Sequence, residues 1–240
     1  MRLALPVARR LLLTLRGDRR TLGLVAGAPA FIIFLFSEVF PSPGPAQRFA
    51  PVLLGVFVFV LTYLLTAIGF LRERQTGTLE RIRVSPVRRT ELVVGYVLGF
   101  GVLGIIQALV LLGSGVFFLD AEFEHGIEFF FLVEVLGALS GLGIGIVLSL
   151  FAENEFQVLQ FMPVVISPQL ILGGTFLPVE DLSWYLEYPA RVMPVTYLIK
   201  AMDYVVLDKG APEDLWVSLL ALGAMTVVSI IAAALVVNRT

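Results

Sequence analysis

Covalent chemistry has few footholds in this sequence. Ser140 and Ser149 are candidate nucleophiles, but the apolar run around them holds no histidine, lysine or aspartate to act as a base. The 240 residues contain no cysteine and a single histidine, His125, so thiolate chemistry and paired-histidine metal sites are excluded. His125 stands with Asp120, Glu122 and Glu124 in a short acidic stretch that superficially suggests a metal site; such acids ordinarily face water, and no metal is expected there. No stretch reads Gly-x-x-x-x-Gly-Lys-Ser/Thr, so the backbone cradle for a nucleotide phosphate is missing from these residues. Inside the apolar runs stand the carboxylate Glu134 and the amides Gln107, Gln160 and Gln169, while Glu38, near the outer end of the first run, reads as simply interfacial. An acid in an apolar medium is costly, so Glu134 should face a bundle interior and pair there or meet a polar path. The amides either line such a path or bond between helices.

These residues sit in a chain too apolar for a soluble globule: 58% hydrophobic, 15% charged, with a mean hydropathy of +0.93. Soluble domains carry roughly 25% charged residues. The apolar residues come in continuous blocks of about 20, the length a helix needs to cross a ~30 Å hydrocarbon core, and they do not alternate as barrel strands would. The sequence thus predicts an all-α membrane protein of six spans, at about 22–40, 51–71, 92–119, 129–152, 156–177 and 214–237. No soluble catalytic domain is expected within it.

Before the first span, residues 1–21 carry Arg2, Arg9, Arg10, Arg16, Arg19 and Arg20 against a single acid, Asp18. Drawn as a helix, Arg2, Arg9, Arg16 and Arg20 fall on one face with Leu3, Val7, Leu11 and Leu15 opposite, the pattern of a helix lying in the membrane interface. A secretory signal is the rival, but the run Leu11–Leu15 is too short for its apolar core. Pro41-Ser42-Pro43-Gly44-Pro45 reads as a helix stop and tight loop. Pro163 and Pro168, with Gly173 and Gly174 beyond them, predict a kink or break in the fifth span. After it, Trp184, Tyr185, Tyr188 and Tyr197 are spaced among prolines, which predicts short helices dipping into the outer leaflet and returning before the last span. Gly137-x-x-x-Gly141-x-x-x-Gly145 and Gly95-x-x-x-Gly99 predict close helix packing rather than substrate contact.

Orientation follows from the basic residues. With both ends in the cytoplasm, thirteen lysines and arginines fall inside and four outside (Arg48, Arg191, Lys200 and Lys209). Six of the thirteen lie in the stretch from Arg72 to Glu91 between the second and third spans. There Gly77 breaks the helix, Thr78 can cap a short new one, and Ser85-Pro86 reads as the N-cap and first residue of the next span. The outcome is a rigid charged knob on the cytoplasmic face, a shape suited to a soluble partner; a simple anchoring cluster of arginines would not need that punctuation.

Arg74-Gln75-Thr76-Gly77-Thr78-Leu79-Glu80-Arg81, then Val84-Ser85-Pro86-Val87 and Glu91-Leu92-Val93-Val94-Gly95, resembles a segment of ABC type-2 transporter permeases, the membrane subunits of exporters driven by ATP-binding cassettes. Leu172-Gly173-Gly174-Thr175-Phe176-Leu177-Pro178 and Met193-Pro194-Val195-Thr196-Tyr197 resemble the family's second hallmark, and Arg16-Gly17-Asp18-Arg19-Arg20-Thr21 fits its opening. The resemblance implies a six-span half-transporter in a prokaryotic plasma membrane, pairing with a second copy or a close paralogue. Each half would dock a nucleotide-binding ATPase subunit. Thr76, Gly77, Thr78, Leu79, Glu80, Arg81, Arg83, Ser85 and Pro86 would form the coupling helix, residues 1–21 the interfacial connecting helix, and Gly173, Gly174, Pro178, Pro194 and Tyr197 part of the outer re-entrant exit region. ATP and Mg would belong to the partner, membrane lipids would surround the chain, and no nucleic acid is expected. An intramembrane hydrolase and a passive channel are the competing functions; the first lacks an activating base and the second has no use for the knob. The apolar spans favour a hydrophobic or amphipathic cargo.

The absence of native cysteine makes orientation directly measurable. In a Glu80→Cys variant, a membrane-impermeant maleimide should react only after permeabilisation, whereas Glu124→Cys should react in intact cells; the reverse pattern would overturn the assigned sidedness.

Overall fold

The computed structural model describes residues 4–40, 43–76, 89–121 and 123–239. Among them are nine α-helices and no strand: α1 (Ala4–Gly17), α2 (Arg19–Val39), α3 (Pro43–Gln75), α4 (Arg89–Leu119), α5 (Ile127–Ser149), α6 (Glu155–Leu172), α7 (Trp184–Ala190), α8 (Pro194–Leu207) and α9 (Pro212–Arg239), with a 3-10 turn at Val179–Asp181. Five helices carry stretches long and apolar enough to cross a membrane: α3, α4, α5, α6 and α9. In α2 the described apolar run, Val25–Val39, is shorter. The charged knob between α3 and α4, including Gly77, Thr78, Leu79, Glu80, Arg81, Arg83, Ser85 and Pro86, lies outside the described residues.

The elements differ from the sequence expectation in two places, each for a local reason. The proline run is not wholly a loop, because α3 begins at Pro43 and takes in Pro45. The first turn of a helix has backbone N–H groups without intrahelical partners, so proline fits there without loss. The fifth expected span does not break at its prolines: α6 runs unbroken through Pro163 and Pro168 and stops at Gly173, whose amide closes onto the Gln169 carbonyl at 2.9 Å. A Cβ on Gly173 would run into that same carbonyl oxygen, so only glycine allows the closure.

α5 is the centre. It packs most extensively on α3, then on α9 and α4. In lipid the hydrophobic effect does not pull helices together, so close approach of backbones has to do so. Gly141 faces the Phe59 carbonyl so closely that a Cβ would overlap the oxygen, and a Cβ on Gly145 would lie 2.7 Å from the Tyr63 carbonyl. Gly137, one turn earlier, receives Leu198 of α8 and Val58 of α3. Ser140 Oγ lies 2.9 Å from Thr226 Oγ1, joining α5 to α9. Around this axis gathers the larger core, with Leu54, Phe59, Tyr63, Phe130, Leu198 and Met202 fully buried. α8 is thus an inserted element among α3, α5 and α9, while α7 keeps Trp184, Tyr185 and Tyr188 exposed.

The glycine pair of α4 has a different partner. Gly95 and Gly99 seat α1: a Cβ on Gly95 would lie 2.6 Å from Val7, and one on Gly99 would lie 2.6 Å from Leu11. α1 buries Ala4, Val7, Ala8 and Leu11 and exposes Leu5, Arg9 and Arg16, so its amphipathic pattern points the apolar side at a helix. A second core, with Phe70, Leu92, Tyr96 and Phe100, fills that junction.

These contacts separate the glycines by consequence. Gly141→Val should block assembly of the α3–α5 pair, at a cost of about 3 kcal/mol or more for forced overpacking, and should lower the detergent-solubilised melting temperature sharply. Gly99→Val should leave the bundle folded but make α1 newly accessible to protease. Gly113→Ala, where a Cβ meets nothing within 4 Å, should melt like the parent.

Candidate coupling and exit sites

Four successive residues at the end of α3 each bond a different part of the molecule. Arg72 holds Glu155, in the first turn of α6, with two parallel bonds: Nε to Oε1 at 2.6 Å and Nη2 to Oε2 at 3.2 Å. Glu73 Oε2 accepts from Arg10 of α1 and from the Tyr96 hydroxyl of α4 at 2.7 Å, and Arg10 also donates to that hydroxyl at 3.1 Å. Arg74 donates to the Ser149 and Ala152 carbonyls at the end of α5. Gln75 Nε2 donates to the Glu153 carbonyl at 2.7 Å, in the turn that leads to α6. Thr76, the last described residue of this segment, folds back with Oγ1 on the Arg72 carbonyl at 3.0 Å.

Helical periodicity explains the arrangement. Four consecutive positions on a helix point in four directions about 100° apart, and here each direction meets a neighbouring helix or the turn between α5 and α6. Of the carbonyls taken by Arg74, that of Ser149 is one a helix end leaves unpaired, where a cation is also favoured by the helix dipole, and that of Ala152 lies in the turn beyond it. Glu73 is nearly enclosed, with 12% of its side chain exposed, and is the member whose loss would strand charge. The Arg72–Glu155 pair is about half exposed and contributes less. Arg10 stays firmly cationic: burial opposes its charge, but the bond to Glu73 and the nearby Tyr96 raise it above its usual range.

At the opposite end, where α6 stops, the chain turns through Gly174 at φ +95° into the 3-10 turn and α7. Gly173, Gly174, Pro178 and Tyr197 line one cavity of about 310 Å³ with Glu180, Lys200 and Asp203. Pro194 starts α8 and is buried beside this region without lining the cavity. Tyr197 donates its hydroxyl to the Arg191 carbonyl at 2.8 Å. Lys200 bridges Glu180 at 3.2 Å and Asp214 at 3.1 Å. The amide of Glu180 itself, then Lys200, holds the Glu180 carboxyl below the usual range.

The polar side chains expected along a path are dispersed. Glu134 is fully buried in α5, and among the described residues neither of its oxygens has a partner. Gln107 is also buried, accepting from Thr62 Oγ1 at 2.6 Å across the α3–α4 contact. Gln169 turns its amide back to the Val165 carbonyl of its own helix at 3.0 Å. Gln160 is exposed on α6. No hydrogen bond joins any two of the four among the described residues. Glu73, Tyr96 and the Arg72–Glu155 pair were not singled out from the sequence, and Arg10 appeared there only as one arginine of the N-terminal stretch; the signal for Arg72 and Glu73 is the unbroken polar run Arg72–Thr76 at the end of an apolar helix. His125, the lone histidine, stacks on Tyr204 at 3.9 Å and bonds Asp208 at 2.6 Å, fastening the α4–α5 loop to the end of α8.

A family model described as ABC-2 type transporter matches residues 4–207, from α1 through α8. The chain belongs to the ABC-2 type transporter family. Among its relatives, ABC transporter G family member 20 of Dictyostelium discoideum is 29% identical over 194 residues, 79% of this chain and 26% of the relative. The probable multidrug ABC transporter permease YbhR of Escherichia coli strain K12 is 23% identical over 176 residues, 73% of this chain and 48% of the relative. The linearmycin resistance permease protein LnrN of Bacillus subtilis is 24% identical over 159 residues, covering 66% and 41% of the two chains. The ABC-2 chain thus spans about half or less of these relatives' lengths. It is a multi-pass membrane protein whose described helices expose apolar residues such as Phe117, Val164 and Leu220.

The hub predicts an order of stabilities. Glu73→Ala, which strands Arg10 and removes the acceptor of Tyr96, should cost on the order of 2 kcal/mol, while Arg72→Ala should cost less than about 1 kcal/mol. Thermal unfolding of the two purified variants checks it.

Proposed function

We propose that this chain is the permease subunit of an ATP-driven exporter. Two copies, or one copy and a paralogue, would form the transport path, and a separate nucleotide-binding ATPase carrying ATP and Mg would dock beneath each. In this reading α2 completes a set of six spans, α1 lies in the cytoplasmic interface, and the segment from α7 to α8 dips into the outer leaflet near the exit. The cargo is hydrophobic or amphipathic, in keeping with the apolar character of the spans.

The observation that carries the reading is the four-way attachment of Arg72, Glu73, Arg74 and Gln75 to α1, α4, α5 and the start of α6. The proposed coupling segment begins immediately after these bonds. A push on it would therefore reach four elements at once, as alternating access requires, without passing through flexible linkers. A passive channel has no need for such a junction. For an intramembrane hydrolase the serines are poorly placed, since Ser140 is engaged with Thr226 and Ser149 donates to the Ile146 carbonyl.

Reversing both charges, Glu80→Arg with Arg81→Glu, should abolish capture of the co-expressed cassette ATPase or uncouple its hydrolysis from transport, while the permease still reaches the membrane. A double variant that retains its ATPase and transports at the parental rate would refute the coupling assignment.

A further inference from the structure

We propose that the cavity between the turn after α6, α8 and α9 binds the ammonium head of a membrane amphiphile, with Asp203 as the recognising carboxylate and the tail laid along α9. The proposal places this cavity at the outer leaflet and so rests on the orientation of the proposed function; its binding chemistry does not depend on transport.

The charges in the cavity decide which head it takes. Lys200 is already neutralised from two sides, by Glu180 at 3.2 Å and Asp214 at 3.1 Å. Arg191 is paired with Glu187 one turn earlier in the chain. The hydroxyls are committed too: Thr196 donates to the Ala190 carbonyl at 2.7 Å and Tyr197 to the Arg191 carbonyl. Asp203 differs. It lines the cavity half-buried, and among the described residues its carboxylate has neither an ion pair nor a hydrogen bond, the Lys209 ammonium acting on it only at longer range. The charge left to be matched is therefore negative, and a half-buried carboxylate gains most from a ligand that brings a cation with N–H donors. An anionic head would meet cations that have already found partners.

The shape of the site says where the rest of the ligand goes. A volume of about 310 Å³ is at the small end of ligand pockets and suits a head group rather than a whole drug-sized molecule. One wall is Val217, which is also 56% exposed on the outside of α9. From it an exposed apolar stripe runs down the helix through Leu220, Val228, Ile231 and Leu235 at spacings of three, eight, three and four residues. Those steps keep to one helical face, so the polar cavity opens onto a continuous apolar track. Asp203 and the track together describe a ligand with an ammonium at one end and a chain at the other. A zwitterionic phospholipid and a simple cationic amphiphile share that chemistry.

Native mass spectrometry on the delipidated full-length chain separates the cases. Phosphatidylethanolamine should bind at one molecule per chain, phosphatidylglycerol should not reach that stoichiometry, and dodecylamine should displace the bound phosphatidylethanolamine. Asp203→Asn should weaken phosphatidylethanolamine binding on the order of tenfold, the loss of one charge-assisted bond, and Asp203→Glu should largely restore it. Val217→Trp, at an exposed position where misfolding is not at issue, should block the mouth and abolish binding. Equal binding of phosphatidylglycerol, failure of dodecylamine to compete, or unchanged binding in both Asp203→Asn and Val217→Trp would overturn the proposal. Because no ATPase or transport step enters the measurement, such a result would leave the coupling reading standing.

Discussion

Close contact between the backbones of α3 and α5 is the constraint from which the arrangement of the bundle follows. Apolar side chains gain little by leaving lipid for one another, so helix association must come from van der Waals contact at short range. Gly141 and Gly145 let α5 press directly against the Phe59 and Tyr63 carbonyls, and Gly137 opens room for Leu198. Once these two helices are fixed, α9 docks through Ser140 and Thr226, and α8 has a slot to enter. α6 makes few contacts with this centre, and its buried residues are only Val158, Ile166 and Gln169. Its first turn is tied to α3 by Glu155 and Arg72, and its last turn closes on itself through Gly173.

The two ends of the bundle are built on opposite electrostatic plans. At the α3 terminus every charge has a partner on another element, and the partners include helix-end carbonyls that would otherwise need water. Such a junction is stiff, because displacing one helix breaks bonds in several. At the far end the charges are half-exposed and arranged around a space. Lys200, Glu180 and Asp214 brace the rim, while Asp203 is left with an unmet charge. A stiff junction suits the passing of force, and an incompletely neutralised cavity suits the holding of a ligand. Glu134, buried between them without a partner among the described residues, is the most costly side chain of the interior.

Much of this was legible in the residues. Continuous apolar blocks, too long and too poor in charge for a soluble core, determined helices in a membrane, because backbone groups in lipid allow only helices or a closed barrel and the blocks do not alternate. The arginine pattern of residues 1–21 pointed to an amphipathic helix, realised as α1 over Ala4–Gly17, and the punctuated motifs carried the family. The three amides and Glu134 were visible as polar groups in apolar runs, but spacing along separate helices says nothing about their distance in space, and they do not gather. The proline signals were partly right: α2 does stop at Val39, just before the Pro41–Pro45 run, but Pro43 already opens α3, and α6 does not break at Pro163 or Pro168.

Composition and periodicity act through local physics, so the sequence alone determined what each segment is: which runs are helical, which are amphipathic, where small residues allow contact. Which helix meets which glycine is a matter of the packed whole. Gly95 and Gly99 look like a span–span motif, yet they seat α1, because only the assembled bundle brings Val7 and Leu11 over α4. The same holds for Glu73 with Arg10, 63 residues apart, and for Arg72 with Glu155, 83 residues apart. Pairings at that separation leave no periodic trace, since they depend on the relative placement of rigid helices and not on any property a single stretch carries.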